Sequence, residues 1–148
     1  MPLITSCDHT GVTVVDLERS LRFWVDVVGF KLVERLNPKG QTASNIVGVE
    51  GAEILIAKVE APGGRHVIEL LQYIGPSTRS HLRPRPCDVG SLHVALTTDD
   101  LDEALAAMLD AGCEMKGEPV EWNGQKLVYV HDFDGVAIEL MQKPSRFA

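Results

Sequence analysis

The chain has 148 residues, 45% of them hydrophobic and 24% charged, with a formal net charge of −7, which is the make-up of a folded globular chain with one core or two small modules. The charge is uneven: residues 1–75 hold 7 Lys+Arg against 9 Asp+Glu, residues 76–89 hold 3 against 1, and residues 90–148 hold 4 against 11. An acidic whole lacks the broad basic face that nucleic acid needs, and no apolar run reaches the roughly 18 residues of a membrane span.

The first residues carry neither a basic region nor a long apolar one, so no secretory signal is expected. Cys7, Cys87 and Cys113 are odd in number and show no CxxC spacing, which reads as reduced thiols in a cytoplasmic protein. Residues 9–15 are rich in β-branched side chains and predict a strand. Asp16 is the N-cap of a helix carrying Leu17, Leu21, Phe23, Trp24, Val27 and Val28 at helical spacing, with Gly29 as its stop. Residues 30–36 alternate as a strand and Asn37-Pro38-Lys39-Gly40 turns the chain. Residues 44–60 predict a further strand region broken near Glu50-Gly51. Residues 61–64 form a hairpin turn and residues 66–72 the closing strand. A stretch punctuated by Pro76, Pro84 and Pro86, which neither helix nor central strand tolerates, then separates two halves.

The second half repeats the first. Residues 92–97 predict a strand, Asp99 or Asp100 a cap, and Leu101, Ala104, Leu105, Met108 and Leu109 a helix that Gly112 ends. Short strands follow over residues 114–121 and 127–131, with a turn at residues 122–125. Asp132-Phe133-Asp134-Gly135 is a tight turn before a last strand over residues 136–142. The predicted fold is α+β: a βαβββ module over residues 1–75, a Pro/Arg-rich linker over 76–89 and a second βαβββ module over 90–148.

The repeat extends to polar residues. His9 precedes Asp16, Leu17 and Leu21 at the intervals by which His93 precedes Asp100, Leu101 and Leu105. Each half closes on one tripeptide, Ile68-Glu69-Leu70 and Ile138-Glu139-Leu140. On a strand that turns Ile and Leu to a helix layer, the Glu between them faces the other way. Two curled modules related by a pseudo-two-fold axis then converge His9, Glu69, His93 and Glu139, a ligand set for one divalent ion with open positions.

These stretches, residues 9–33, Ile68-Glu69-Leu70, residues 93–105 and residues 132–139, resemble the vicinal oxygen chelate superfamily, which includes glyoxalase I, methylmalonyl-CoA epimerase, extradiol dioxygenases and antibiotic-resistance proteins. The resemblance spans about residues 7–143. It implies metal ligation by His9, Glu69, His93 and Glu139, with Zn, Ni, Co, Mn, Mg or Fe as the ion. A Glu at position 69 is similar to glyoxalase I, where the epimerases usually carry Gln; extradiol enzymes resemble only His9, His93 and Glu139. The implied activity is that of a lyase or isomerase moving a proton beside a metal-chelated carbonyl. Its general base is Glu139, or Glu69 by symmetry, or Glu53, which resembles the position of a separate base in the epimerase. Glu53 and Glu50 equally suit exposed strand-edge roles. The alternatives are an Fe(II)-dependent dioxygenase and a non-enzymatic small-molecule-binding protein.

Other residues take simpler roles. His66 reads as a surface residue, His81 as a solvated linker residue and His131 as part of the turn or the cleft wall. Trp24 packs a helix and Trp122 lines a cleft mouth. Arg79, Arg83 and Arg85 suit a small anionic substrate or serve as solvated linker charges. Sheet edges that need covering make a homodimer the expected assembly.

Overall fold

The computed structural model describes residues 3–144, and the chain divides into two compact units, Met1–Arg79 and Ser80–Ala148. The first contains β1 (Thr10–Thr13), α1 (Leu17–Arg22), β2 (Lys31–Leu36), α2 (Gly40–Val47), β3 (Glu53–Glu60) and β4 (Val67–Gly75). Its sheet has the order β1-β4-β3-β2, with β1 and β4 parallel and the other pairs antiparallel.

Asp16 caps α1 as the sequence predicts, its Oδ1 accepting from the Arg19 N–H at 3.0 Å. A second cap comes from the sheet: the Leu17 N–H donates to Gln72 Oε1 at 2.8 Å. After Arg22 the helix widens into a π-helical segment, Phe23–Val27. This change of pitch accompanies burial of two adjacent aromatics, Phe23 and Trp24. Trp24 is fully buried, its ring edge-on to Phe23 at 5.7 Å and to Phe30 at 5.3 Å, in the packing role expected of it. α1 lies against β3 and β4, and Leu17 and Leu21 share this core with Ala57, Val59, Ile68 and Leu70.

The predicted strand over residues 44–60 is corrected. Its first part is helix α2, and only Glu53–Glu60 is strand. Ile46, Val47 and Val49 are β-branched, a composition that favours strand over helix. In the structure Ala43 is the buried anchor of α2 while Ile46 stays 74% exposed. Gly48, at φ 67°, closes α2 with its N–H on Ser44 O at 2.9 Å. The Asn37–Gly40 turn thus leads into a helix, and the first unit runs β-α-β-α-β-β. The strand β2 is also exposed along its whole length, so its alternation does not mark a buried face.

The second unit contains β5 (His93–Thr98), α3 (Leu101–Asp110), β6 (Glu114–Met115), β7 (Val120–Trp122), β8 (Gln125–His131) and β9 (Ala137–Gln142). Its sheet has the order β5-β9-β8-β6, with β7 also on β8. β5 and β9 are parallel, the counterparts of β1 and β4. Asp100, rather than Asp99, caps α3 through the Glu103 N–H at 3.0 Å. The sheet again supplies a second cap, Leu101 N–H to Gln142 Oε1 at 2.9 Å. Leu101, Leu105 and Met108 of α3 are buried, as are Val128, Val130, Ile138 and Leu140 of the sheet. Asn123 (φ 52°) and Gly124 (φ 75°) form the two-residue hairpin between β7 and β8. No helix of the described residues is long and apolar enough to cross a membrane.

Candidate metal-ligand pairs

Parallel pairing sets the first pair. Gly11 of β1 stands beside Glu69 of β4, and His9 lies two residues before Gly11, hence on the same face. His9 Nε2 lies 3.3 Å from Glu69 Oε2. The other ring nitrogen, Nδ1, is on Asp8 Oδ1 at 2.6 Å. That hydrogen bond to His9 is also the main reason the Asp8 carboxyl sits below its ordinary range. A carboxylate on the second nitrogen fixes the orientation of an imidazole and leaves its first nitrogen for a metal. The sequence reading missed Asp8, although its place next to His9 was a signal.

The second pair repeats this diagonal. Ala95 of β5 stands beside Glu139 of β9, and His93 lies two residues before Ala95. His93 Nε2 is 3.4 Å from Glu139 Oε2. Two donors on neighbouring positions of one cation, with bonds near 2.1 Å at right angles, stand about 3 Å apart. Each pair, taken by itself, therefore has the donor types and the spacing of two adjacent ligands on a cation. Among the described residues, no group of three or more His, Cys, Asp or Glu side chains stands together where it could hold a metal.

The cross-strand neighbours of the two glutamates differ. Glu69 pairs across the sheet with Lys58, and Lys58 with Glu34. Lys58 Nζ is 2.9 Å from Glu34 Oε2 and 4.0 Å from Glu69 Oε1. Glu139 pairs instead with Tyr129, whose ring meets that of His93 edge-on at 5.2 Å. Burial, with the Glu139 charge adding, pushes the Tyr129 phenol above its ordinary value.

Glu53 stands elsewhere. It opens β3, five residues and roughly 16 Å along the strand from Lys58. With Lys39, Gln41, Ser44, Asn45 and Glu50 it lines a polar hollow of about 760 Å³ beside α2. His66 is half-buried rather than free on the surface, with its Nε2 3.0 Å from Thr10 Oγ1. The linker is engaged rather than merely solvated: His81 Nε2 bonds Asp134 O at 2.8 Å, Arg83 donates to Phe133 O at 2.7 Å, and Arg85 pairs with Asp88 at 2.7 Å. Arg79 and Trp122 are exposed. His131 is buried with its Nε2 unpartnered, and burial above all lowers its pKa, which keeps the imidazole neutral.

Two α+β units with one sheet order and one His–Glu diagonal define a protein of duplicated mixed modules. Residues 6–140 match the Glyoxalase/Bleomycin resistance protein/Dioxygenase superfamily, and the chain belongs to it. The chain is 26% identical to the 2-epi-5-epi-valiolone epimerase of an Actinomyces species, over 98% of this chain and 83% of that protein. It is 27% identical to the lactoylglutathione lyase of Haemophilus influenzae, over 93% of this chain and 92% of the other. A glyoxalase family protein from Bacillus cereus superposes with a TM-score of 0.88 at 26% identity, covering 97% of both chains. The fosfomycin resistance protein FosX of Listeria monocytogenes, solved with Mn(II) and sulfate, shares the fold at a TM-score of 0.60 and 18% identity, over 95% of this chain and 93% of that one.

Proposed function

We propose that the protein is a divalent-metal-dependent lyase or isomerase that moves a proton beside a carbonyl of a small molecule bearing two adjacent oxygens. The observation that carries this reading is the recurrence of one His–Glu diagonal, at 3.3 Å in one unit and 3.4 Å in the other. His9, Glu69, His93 and Glu139 act as one ligand set, and the active assembly is a homodimer. A bound divalent ion polarises the carbonyl and stabilises the negative charge that develops when the α-proton leaves. The chain's own groups do the rest. Asp8 orients His9 through Nδ1, and a carboxylate oxygen of Glu139 or Glu69 accepts the α-proton. Glu53, beside the α2 hollow, has a place in this chemistry only if substrate reaches that hollow. The similarity to an epimerase and to a lyase supports proton transfer as the reaction type.

A second reading has its own observation. Lys58 engages Glu69, and His9, His93 and Glu139 by themselves are the two-histidine, one-carboxylate set of iron oxygenases. Hydroxyacetone, the smallest α-hydroxyketone, separates the readings. Protein reconstituted with a divalent ion exchanges its α-protons with D2O, followed by NMR, and the Glu139→Gln variant loses most of that exchange. Oxygen uptake with catechol and no exchange supports the dioxygenase instead. Binding without either reaction supports a ligand-sequestering protein.

A further inference from the structure

The two units duplicate their His–Glu diagonals but not the residue beyond each glutamate. In the first unit, the row of side chains across the sheet runs Gly11, Glu69, Lys58, Glu34. In the second it runs Ala95, Glu139, Tyr129. A cation has taken the place that a phenol holds in the repeat.

The carboxylate of Glu69 is divided between two partners. Its Oε2 faces His9 Nε2 at 3.3 Å, while its Oε1 faces Lys58 Nζ at 4.0 Å. The ammonium is held in place from the far side by Glu34 at 2.9 Å. An ammonium has three donors, so the bond to Glu34 does not use up its capacity for a second carboxylate. Lys58 is only one-quarter exposed and Glu69 one-seventh, by side-chain areas of 25% and 14%, so bulk water screens them incompletely. Among the described residues, Glu139 has no lysine or arginine within ion-pair distance; its partner there is His93.

We propose that Lys58 makes the two carboxylate ligands inequivalent: it competes with the bound cation for Glu69, so that Glu69 is the exchangeable ligand and Glu139 the fixed one. The inference rests on the reading of His9, Glu69, His93 and Glu139 as ligands of one divalent ion. A carboxylate that leaves an ion in water loses its counter-charge. Here the departing Glu69 finds Lys58 on its other oxygen, which lowers the cost of leaving. Glu139 has no such alternative. Lys58 is a positioning residue in this account: it acts through Glu69 and touches no substrate. Glu34 aims it.

The test uses Mn(II) alone, titrated by electron paramagnetic resonance. Removing Lys58 by itself exposes the charge of Glu34, so the informative variant is the charge-balanced Lys58→Met/Glu34→Gln. It is expected to bind Mn(II) roughly threefold to tenfold more tightly than wild type, the gain shrinking in high salt. Lys58→Arg, which keeps the charge, stays near wild type. In the wild-type background Glu69→Gln weakens binding much less than Glu139→Gln. In the charge-balanced background the cost of Glu69→Gln grows toward that of Glu139→Gln. This coupling between positions 58 and 69 is a signature that a merely structural lysine does not produce, and thermal melts check that each variant is folded. Equal costs for the two glutamates in wild type, or no tightening in the charge-balanced variant, overturn the inference while leaving the ligand reading intact. A wild-type protein that binds no Mn(II) overturns both.

Discussion

Asp132 directly follows β8 and starts the turn into β9 with 1% of its surface exposed. Its Oδ1 accepts from the Asp134 N–H at 2.9 Å and the Val136 N–H at 2.8 Å, while Oδ2 is buried with no partner. Burial outweighs the bonds to Oδ1 and raises the carboxyl pKa to about 6. The folded state thus holds this proton more tightly than the unfolded chain does. The stability it contributes is complete below the unfolded value of 3.8 and is lost as pH rises through about 6. A gap of about two pH units corresponds to about 3 kcal/mol. Asp132→Asn keeps an oxygen for both N–H groups and removes the titration. Denaturant unfolding at pH 4 and pH 7 is expected to show the variant gaining on wild type by about 2–3 kcal/mol between the two. An equal difference at both pH values contradicts this account of the buried carboxyl.

Each helix that backs a sheet is held at its N-terminus twice, by its own Asp and by a glutamine of the last strand. Gln72 and Gln142 each follow the candidate ligand, Glu69 or Glu139, by three residues, so one segment, Ile-Glu-Leu-X-Gln, sends its Glu to one face and its Gln to the other. Replacing Gln72 or Gln142 by Ala leaves a part-buried helix N–H unpaired, at a cost of about 1–3 kcal/mol. Thermal unfolding of each variant reads that loss, and an unchanged midpoint means that water replaces the glutamine. Periodicity made most of these elements legible. Asp16 and Gly29 bracket one helix, Asp100 and Gly112 the other, and the Asn123-Gly124 hairpin carries its own turn signal. α2 was not legible, because Ile46 and Val47 have strand propensity while a single small residue, Ala43, anchors the helix. β2 kept a strand's alternation without its burial, because it is an edge strand whose residues all stay exposed.

At the scale of the molecule, duplication explains why the sequence disclosed half of the candidate chemistry. His9, Glu69, His93 and Glu139 stood out because the repeat marked them, and parallel pairing brings each His to its Glu within one unit. Lys58 and Tyr129 did not stand out, because only strand register makes them neighbours of Glu69 and Glu139. They are also where the units diverge, and a repeat search favours what has stayed the same. The central claim is that two like pairs serve a single ion. Elemental analysis of the reconstituted protein, beside His9→Ala and His93→Ala, tests it most directly. The account predicts about one divalent ion per chain in wild type and loss of most of it in either variant, since each removes a quarter of one ligand set. Two ions per chain, or full retention at one pair after the histidine of the other is removed, would contradict it.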